Sequence, residues 1–166
     1  MKNNNEITIA FSKADESELE AIIALLADDP LGSSRETYDD SLPDSYRNAF
    51  KIIQADPNAR LIVAKNKDII VGIAQINFIA HLTYQGGTRA QIEGVRIHKD
   101  YRSKGIGKQL FEYLISLAKE RGCHLVQLTT DKSRPAALEF YEGLGFKQSH
   151  IGLKLHLKET GGSKND

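Results

Sequence analysis

Residues 95–118 have the sequence VRIHKDYRSKGIGKQLFEYLISLA. The β-branched beginning predicts a strand, the middle is a basic loop that contains glycine, and the end has the apolar spacing of an amphipathic helix. The apolar residues of this helix recur on one face, namely Ile106, Leu110, Phe111, Leu114, Leu117 and Ala118. The stretch therefore predicts a strand, a loop and a helix whose first turn lies close to Gly105 and Gly107.

The beginning of this helix has the features of an anion site. First-turn N–H groups have no partner within a helix, they lie at the positive end of its dipole, and glycines let a phosphate approach the backbone. Arg102, Lys104 and Lys108 add positive charge. Gln109 stands where a Walker loop needs Ser or Thr, and Leu110 stands where the dinucleotide fingerprint needs its third glycine. Both of these nucleotide motifs are therefore excluded.

The rest of the chain predicts strands and helices in the order β-α-α-β-β-β-α-β-α-β. Strands are expected at 7–11, 60–64, 69–78, 90–98 and 124–130 and within 146–157, and helices around 19–26, 43–55, 105–121 and 134–143. This order indicates an α/β (α+β) fold with a mixed, mainly antiparallel sheet and about four helices. We expect one domain over residues 1–166, a core at about 7–157 and a flexible tail at 160–166. The polar stretch 28–44 is either a substrate rim or a solvated connector.

The composition limits the partners of the chain. Its 22 basic and 22 acidic residues cancel, which argues against nucleic acid as the main partner. Its apolar runs are too short for a membrane helix, which needs about 20 residues. The single cysteine, Cys123, cannot form a disulfide within the chain, and no signal-peptide pattern is present at the N-terminus. We therefore expect a cytoplasmic protein with no membrane association.

Two motifs in residues 92–146 resemble one enzyme family. Arg102, Gly105 and Gly107 follow R-x-x-G-x-G, and residues 137–146 follow A-x-x-FY-x-x-LGF. In this order and spacing they are similar to the GNAT superfamily of acyltransferases, although the loop pattern alone also suits an ordinary strand-to-helix turn. The resemblance implies a GNAT fold and an N-acetyltransferase that uses acetyl-CoA. Its pyrophosphate would be bound by the loop residues Arg102, Ser103, Lys104, Gly105, Ile106, Gly107 and Lys108.

The same resemblance implies further cofactor contacts. The strand residues Val95, Arg96 and Ile97 are expected to bind the cofactor, with the backbone of Val95 and Ile97 holding the pantetheine arm. Arg134 stands where many family members have asparagine. It either reaches the cofactor or is solvated at the start of a helix.

Acetyl transfer to an amine also needs a base for the amine and an acid for the departing thiolate. By resemblance, Tyr141 is the candidate acid; the alternative is a packing tyrosine whose hydroxyl is satisfied locally. Glu93 is the candidate base; the alternative is a sheet carboxylate paired with Arg89 or another cation. No covalent acyl-enzyme is needed, so Cys123 is expected to be a small core residue.

The acceptor is less defined than the cofactor. Residues 129–134 and 148–150 are similar to segments of aminoalkylphosphonate N-acetyltransferases, which favours a small anionic amine. Arg89, Arg96 or His150 would then contact the anion, although surface charge explains them equally well. A protein or peptide N-acetyltransferase and a noncatalytic acyl-CoA-binding module are the alternatives, and a homodimer is left open. The histidines lack metal-ligand spacing, so no metal is expected.

Overall fold

The computed structural model describes residues 7–28, 32–33, 36 and 41–157. The predicted tail at 160–166 and most of the connector at 28–44 lie outside these residues. Among the helices described, none combines the length and the apolar character needed to cross a bilayer.

Five strands and five helices follow one another along the chain. They are β1 (Ile9–Lys13), α1 (Leu19–Ala27), α2 (Asp44–Ala55), β2 (Ala59–Asn66), β3 (Ile69–Ala80), α3 (Thr83–Gly86), β4 (Thr88–Ile97), α4 (Ile106–Glu120), β5 (Leu125–Gln127) and α5 (Pro135–Gly143). This confirms the predicted order from β1 to α5. The additional element is α3, a single turn in which Tyr84 and Gln85 have left-handed backbone angles.

The strands form one sheet in the order β1-β2-β3-β4-β5. The pairs β1/β2, β2/β3 and β3/β4 are antiparallel, whereas β4 and β5 are parallel. The mixed, mainly antiparallel sheet is therefore confirmed. A short turn joins β2 to β3, whereas α1 and α2 lie between β1 and β2 and α3 lies between β3 and β4. The parallel pair β4/β5 requires the crossover helix α4.

Two apolar layers cover the sheet. On one face, α4 buries Leu110, Phe111 and Leu114 against residues that include Ile76 and Ile92. On the other face, α1 and α2 form a second cluster with Val63 and Ile73. The predicted apolar stripe of α4 is confirmed, since all six of its members are buried. This stripe fixes the first turn of α4 against the sheet.

Local sequence explains where the first two helices begin. Asp15 accepts a hydrogen bond from the N–H of Ser17, and the Glu18 carboxylate accepts one from the N–H of Asp15. This reciprocal capping box starts the 3-10 turn Glu16–Glu18 that leads into α1. Pro43 precedes α2, as predicted, where its missing N–H costs nothing.

Of the two strands predicted near the C-terminus, one is confirmed in part and the other is wrong. The strand predicted at 124–130 is shorter, because β5 covers only Leu125–Gln127. The strand predicted within 146–157 is not formed in the described residues. Apolar side chains alternate there as in a strand, but they lie in solvent, with Leu153 92% exposed. A strand needs a backbone partner as well as a pattern, and in the described residues this segment forms no ladder with the free edge of β5 or with any other strand.

We expect two leucines to differ sharply in their contribution to stability. Leu114→Ala should lower the free energy of unfolding by about 2–5 kcal/mol, because the side chain is fully buried. Leu153→Ala should change it by no more than about 0.5 kcal/mol, because the side chain is exposed. Urea unfolding followed by circular dichroism measures both. A large loss for Leu153→Ala would mean that residues 147–157 are packed in solution.

Candidate functional site

The candidate site begins where β4 separates from β5. The two strands pair only over residues 89–91 and 125–127, while β4 continues to Ile97. Residues 92–97 therefore have no strand partner on this side among the described residues. The carbonyl groups of Val95 and Ile97 instead accept hydrogen bonds from side chains, at 2.8 Å from Arg96 Nη1 and 3.1 Å from Arg102 Nε. An open strand edge of this kind can bind an extended ligand that carries amide groups.

A bulge in β4 sets which residues face the cleft. Gln75 opposes Glu93 and Ile73 opposes Arg96, so β4 has one residue more than β3 between these pairs. Gly94 has φ +63°, a conformation that costs glycine little. The extra residue turns Val95 to the α4 side of the sheet, where it packs on the same core as Ile92. The sequence prediction missed this bulge, although a glycine within a strand is its usual signal.

The loop between β4 and α4 exposes consecutive backbone donors. It contains the 3-10 turn Lys99–Tyr101 and the left-handed residues Ser103 (φ +58°) and Gly105 (φ +78°). Gly105 precedes α4 without any side-chain cap. The first backbone bond of the helix runs from the N–H of Gln109 to Gly105 O, at 3.2 Å. The N–H groups of residues 103–108 have no hydrogen-bond acceptor within the described part of the chain. Such a group of donors is suited to a phosphate or pyrophosphate.

Basic side chains surround these donors. Lys104 Nζ lies 5.3 Å from the centre of the Tyr101 ring, and Lys108 Nζ lies 3.9 Å from Glu112 Oε1 on the exposed face of α4. Arg102 is exposed, and its contact with Ile97 O ties the loop to the end of β4. The loop therefore combines backbone donors with exposed positive charge.

Helix α5 places Tyr141 beside the first turns of α4. The Tyr141 ring lies 5.4 Å from the Phe111 ring and 6.2 Å from the Phe146 ring. Phe140 packs so close to Gly107 that a β-carbon there would lie 3.2 Å from its ring. The motif around Tyr141 and the glycine loop, predicted separately, therefore meet in the structure.

The Tyr141 hydroxyl has no hydrogen-bond partner among the described residues. A tyrosine with a purely packing role would be expected to have such a partner nearby. Burial raises the pKa of Tyr141, and the positive charges of Arg134 and Arg96 oppose that rise in part. The side chain thus carries a protonated hydroxyl that remains available as a donor.

Glu93 lies on the other face of the sheet, just before the bulge. Its carboxylate is exposed and has no ion pair or hydrogen bond among the described residues. Arg89, the cation considered as its partner, instead donates from Nη1 to Gln127 Oε1 at 3.1 Å. The alternative of a Glu93–Arg89 ion pair is therefore wrong. Glu93 is left as an unpaired carboxylate at the point where β4 and β5 separate.

The remaining candidate residues are more dispersed. Arg134 is the residue before α5, next to Pro135, and does not cap the helix with its side chain. His150 Nδ1 lies 2.8 Å from Ser149 Oγ in the exposed C-terminal segment. Cys123 packs against the main core, and burial raises the pKa of its thiol, as expected for a structural cysteine. Within the described ranges, no group of three or more His, Cys, Asp or Glu side chains could hold a metal ion.

Comparison with known proteins agrees with this geometry. Residues 19–146 match the Acetyltransferase (GNAT) family. The chain belongs to this family. This GNAT protein is an acetyl-CoA-dependent N-acyltransferase, which confirms the predicted class of enzyme and its cosubstrate.

Its relatives include enzymes with different acceptors. The chain is 28% identical over 107 residues to the aminoalkylphosphonate N-acetyltransferase of Salmonella typhimurium, a match that covers 64% of this chain and 69% of that enzyme. A solved structure from Bacillus halodurans C-125, named a transcriptional regulator, is 56% identical with a TM-score of 0.88, and the match covers 90% of this chain and 100% of that one. Glucosamine-6-phosphate N-acetyltransferase from Arabidopsis thaliana shares the fold, with 22% identity, a TM-score of 0.74, and coverage of 91% and 99%. In several other curated relatives the match spans less than half of their length.

We expect the loop charge to contribute to cofactor affinity. Lys104→Gln should weaken acetyl-CoA binding by about 1 kcal/mol, or roughly fivefold, because a cation beside the free N–H groups is lost. Lys119→Gln removes the same charge at the opposite end of α4 and is the matched control. Calorimetric titration at low and high salt measures both variants. Equal affinity for the two variants would contradict the assignment of residues 102–108 as the phosphate loop.

Proposed function

We propose that this GNAT protein transfers the acetyl group of acetyl-CoA to the primary amine of a small molecule by direct attack. The observation that carries the proposal is the set of unpaired N–H groups at residues 103–108, next to the open edge of β4 and the unpaired Tyr141 hydroxyl. A pyrophosphate at the loop would direct the rest of the cofactor along that edge.

Binding of the cofactor would replace two hydrogen bonds at the open edge of β4. Pantetheine amides donating to the carbonyls of Val95 and Ile97 would replace the guanidinium groups of Arg96 and Arg102. The guanidinium group of Arg102 could then turn to the phosphates, which guanidinium groups bind well. Arg134, close enough to lower the pKa of Tyr141, is positioned to contribute on the same side.

The reaction then needs proton transfers at the amine and at the thiolate. The amine nitrogen attacks the thioester carbonyl, a C–N bond forms, and the C–S bond breaks to release coenzyme A as a thiolate. Glu93 takes a proton from the protonated acceptor so that its nitrogen can attack, and the thiolate takes a proton from the Tyr141 hydroxyl. The proton left on the new amide nitrogen passes to solvent. A phenol, with an ordinary pKa of about 10, is protonated at neutral pH and can therefore act as a proton donor. Transfer of its proton to a thiolate whose thiol has a pKa of about 8.5 is slightly uphill, and reprotonation of the tyrosine from solvent completes the step.

A small acceptor is supported by the names of two of the relatives. Aminoalkylphosphonates and glucosamine 6-phosphate are both small primary amines. A noncatalytic binding module would need neither an unpaired carboxylate nor a free phenol at the cleft, and the described residues provide both. We place the reaction in the cytoplasm, in keeping with the single free cysteine of the chain.

Replacing the proposed acid should reduce turnover without loss of the cofactor. We expect Tyr141→Phe to lower kcat by about 10²-fold and to leave the affinity for acetyl-CoA nearly unchanged, because only the proton donor is removed. Since burial raises the pKa of Tyr141, ionisation of its hydroxyl should not lower the wild-type rate in the neutral and mildly alkaline range.

Tyr113→Phe is the matched control, because Tyr113 also packs on the core but stacks on Phe11 at the other side of α4. Thiol release measured from pH 7 to 10 tests both substitutions. Full turnover of Tyr141→Phe would exclude this hydroxyl as the acid.

Replacing the proposed base should have an effect that depends on pH. We expect Glu93→Gln to lower kcat/KM by at least about tenfold near pH 7 and to approach the wild-type rate at high pH, where the free amine is already neutral. Glu120→Gln, at the end of α4, removes an exposed carboxylate away from the cleft and should be silent. Parallel pH profiles for Glu93→Gln and the wild type would argue against Glu93 as the base.

A further inference from the structure

A polar surface lies on the sheet face that carries Glu93. Ala90 and Ile92 pack on the α4 core, so the alternation of β4 directs Arg89, Gln91 and Glu93 to the opposite face. The same alternation applies in β3 and β5, and it gives a set of neighbouring side chains: Gln75, Asn77, Arg89, Gln91 and Gln127. All five are half-buried.

The orientation of two amide groups on this surface is fixed by Arg89. A guanidinium group can only donate, so the atom of Gln127 that lies 3.1 Å from Arg89 Nη1 must be its oxygen. The amide nitrogen of Gln127 then donates to Gln91 Oε1 at 2.7 Å. The amide nitrogen of Gln91 is left as a donor that no described residue accepts from.

The surface therefore presents more donors than acceptors. Asn77 Oδ1 accepts from Gln75 Nε2 at 2.9 Å, which leaves the Asn77 amide nitrogen as a further donor and Gln75 Oε1 as a single acceptor. The remaining guanidinium donors of Arg89 have no acceptor, and no described carboxylate pairs with Arg89. We call Asn77, Arg89 and Gln91 the donor face. A half-buried guanidinium group with two amide donors is suited to bind an oxyanion. Hydrogen bonds between guanidinium and an anionic oxygen are stronger than those between neutral groups.

We propose that the donor face binds an anionic group of the acceptor, so that the acceptor is a small primary amine bearing a phosphonate, phosphate or carboxylate group. This inference rests on the proposed function, with Glu93 as the residue that receives the amine. Gln127 is the register partner of Gln91, and Arg89 reaches it. Gln91 stands two residues before Glu93, so the anion and the amine would be separated by about 7 Å along the strand.

Matched pairs of amines test the inference. Rates would be measured with 3-aminopropylphosphonate, 4-aminobutyrate and the uncharged 3-aminopropanol at saturating acetyl-CoA. We expect the phosphonate or the carboxylate to exceed the alcohol in kcat/KM by at least about tenfold, which is the effect of about 1.4 kcal/mol of binding. Comparison of the two anions identifies the preferred headgroup. A shorter phosphonate, aminomethylphosphonate, should be poorer because it cannot span the separation.

Arg89→Gln should remove this preference. We expect KM for the anionic amine to rise by at least about tenfold, while kcat/KM for 3-aminopropanol and the affinity for acetyl-CoA stay near wild type. Arg60→Gln is the matched control: Arg60 is also half-buried in the sheet, but it lies over the Phe78 ring, away from the donor face. An equal loss for the charged and uncharged amines, or no preference in the wild type, would overturn the inference and leave the proposed function intact.

If no amine is acetylated, the proposed function fails and the donor face is tested by binding alone. Calorimetric titration of 3-aminopropylphosphonate into the protein saturated with coenzyme A would then be compared between the wild type and Arg89→Gln. Binding that requires Arg89 supports the anion site. Absence of binding to the wild type, or equal binding to both proteins, overturns it.

Discussion

The site depends on the fact that β4 has two neighbours at its beginning and only one at its end. Over residues 89–91 it is bonded to both β3 and β5, and beyond Gln91 only the bonds to β3 continue. A strand that loses one neighbour leaves backbone groups unsatisfied, and these must be met by side chains, water or a ligand. In this protein guanidinium groups meet two of the carbonyls. The loop and α4 follow directly, so the free N–H groups at residues 103–108 lie at the end of the same edge.

Tyr141 illustrates how packing and charge are balanced at this cleft. Its ring contributes to the aromatic cluster around Phe111, which accounts for its burial and for the rise of its pKa. Arg96 and Arg134 oppose that rise, and both are also candidates for contact with the cofactor phosphates. A bound anion would neutralise these cations and so weaken their effect on the hydroxyl.

Sequence patterns predicted the parts of the fold that depend on local spacing. The stripe on α4 fixed the helix to within a residue or two at each end, since six apolar residues recur on one face. Spacing cannot show whether a strand finds a partner, and the strand predicted within 146–157 is not formed in the described residues. The bulge at Gly94 was detectable in principle, because buried residues change from even positions (Ala90, Ile92) to odd ones (Val95, Ile97) across it. The sequence could not show that Glu93 has no partner among the described residues, because this depends on the direction of the Arg89 side chain, which contacts Gln127 instead.

The same arginine explains why the polar side chains of the sheet were not recognised as a site from sequence. Glutamine and asparagine in a strand give no directional signal, because each amide can donate or accept. Arg89 fixes the position of the Gln127 oxygen, and the Gln127 amide nitrogen then fixes the orientation of the Gln91 amide. The surface consequently has more hydrogen-bond donors than acceptors. A half-buried guanidinium group such as that of Arg89 lowers the stability of the fold when no carboxylate pairs with it. An Asp or Glu on either neighbouring strand would have provided such a partner. A donor surface that is costly to the folded chain and lies two residues from an unpaired carboxylate is consistent with selection for a ligand rather than for packing.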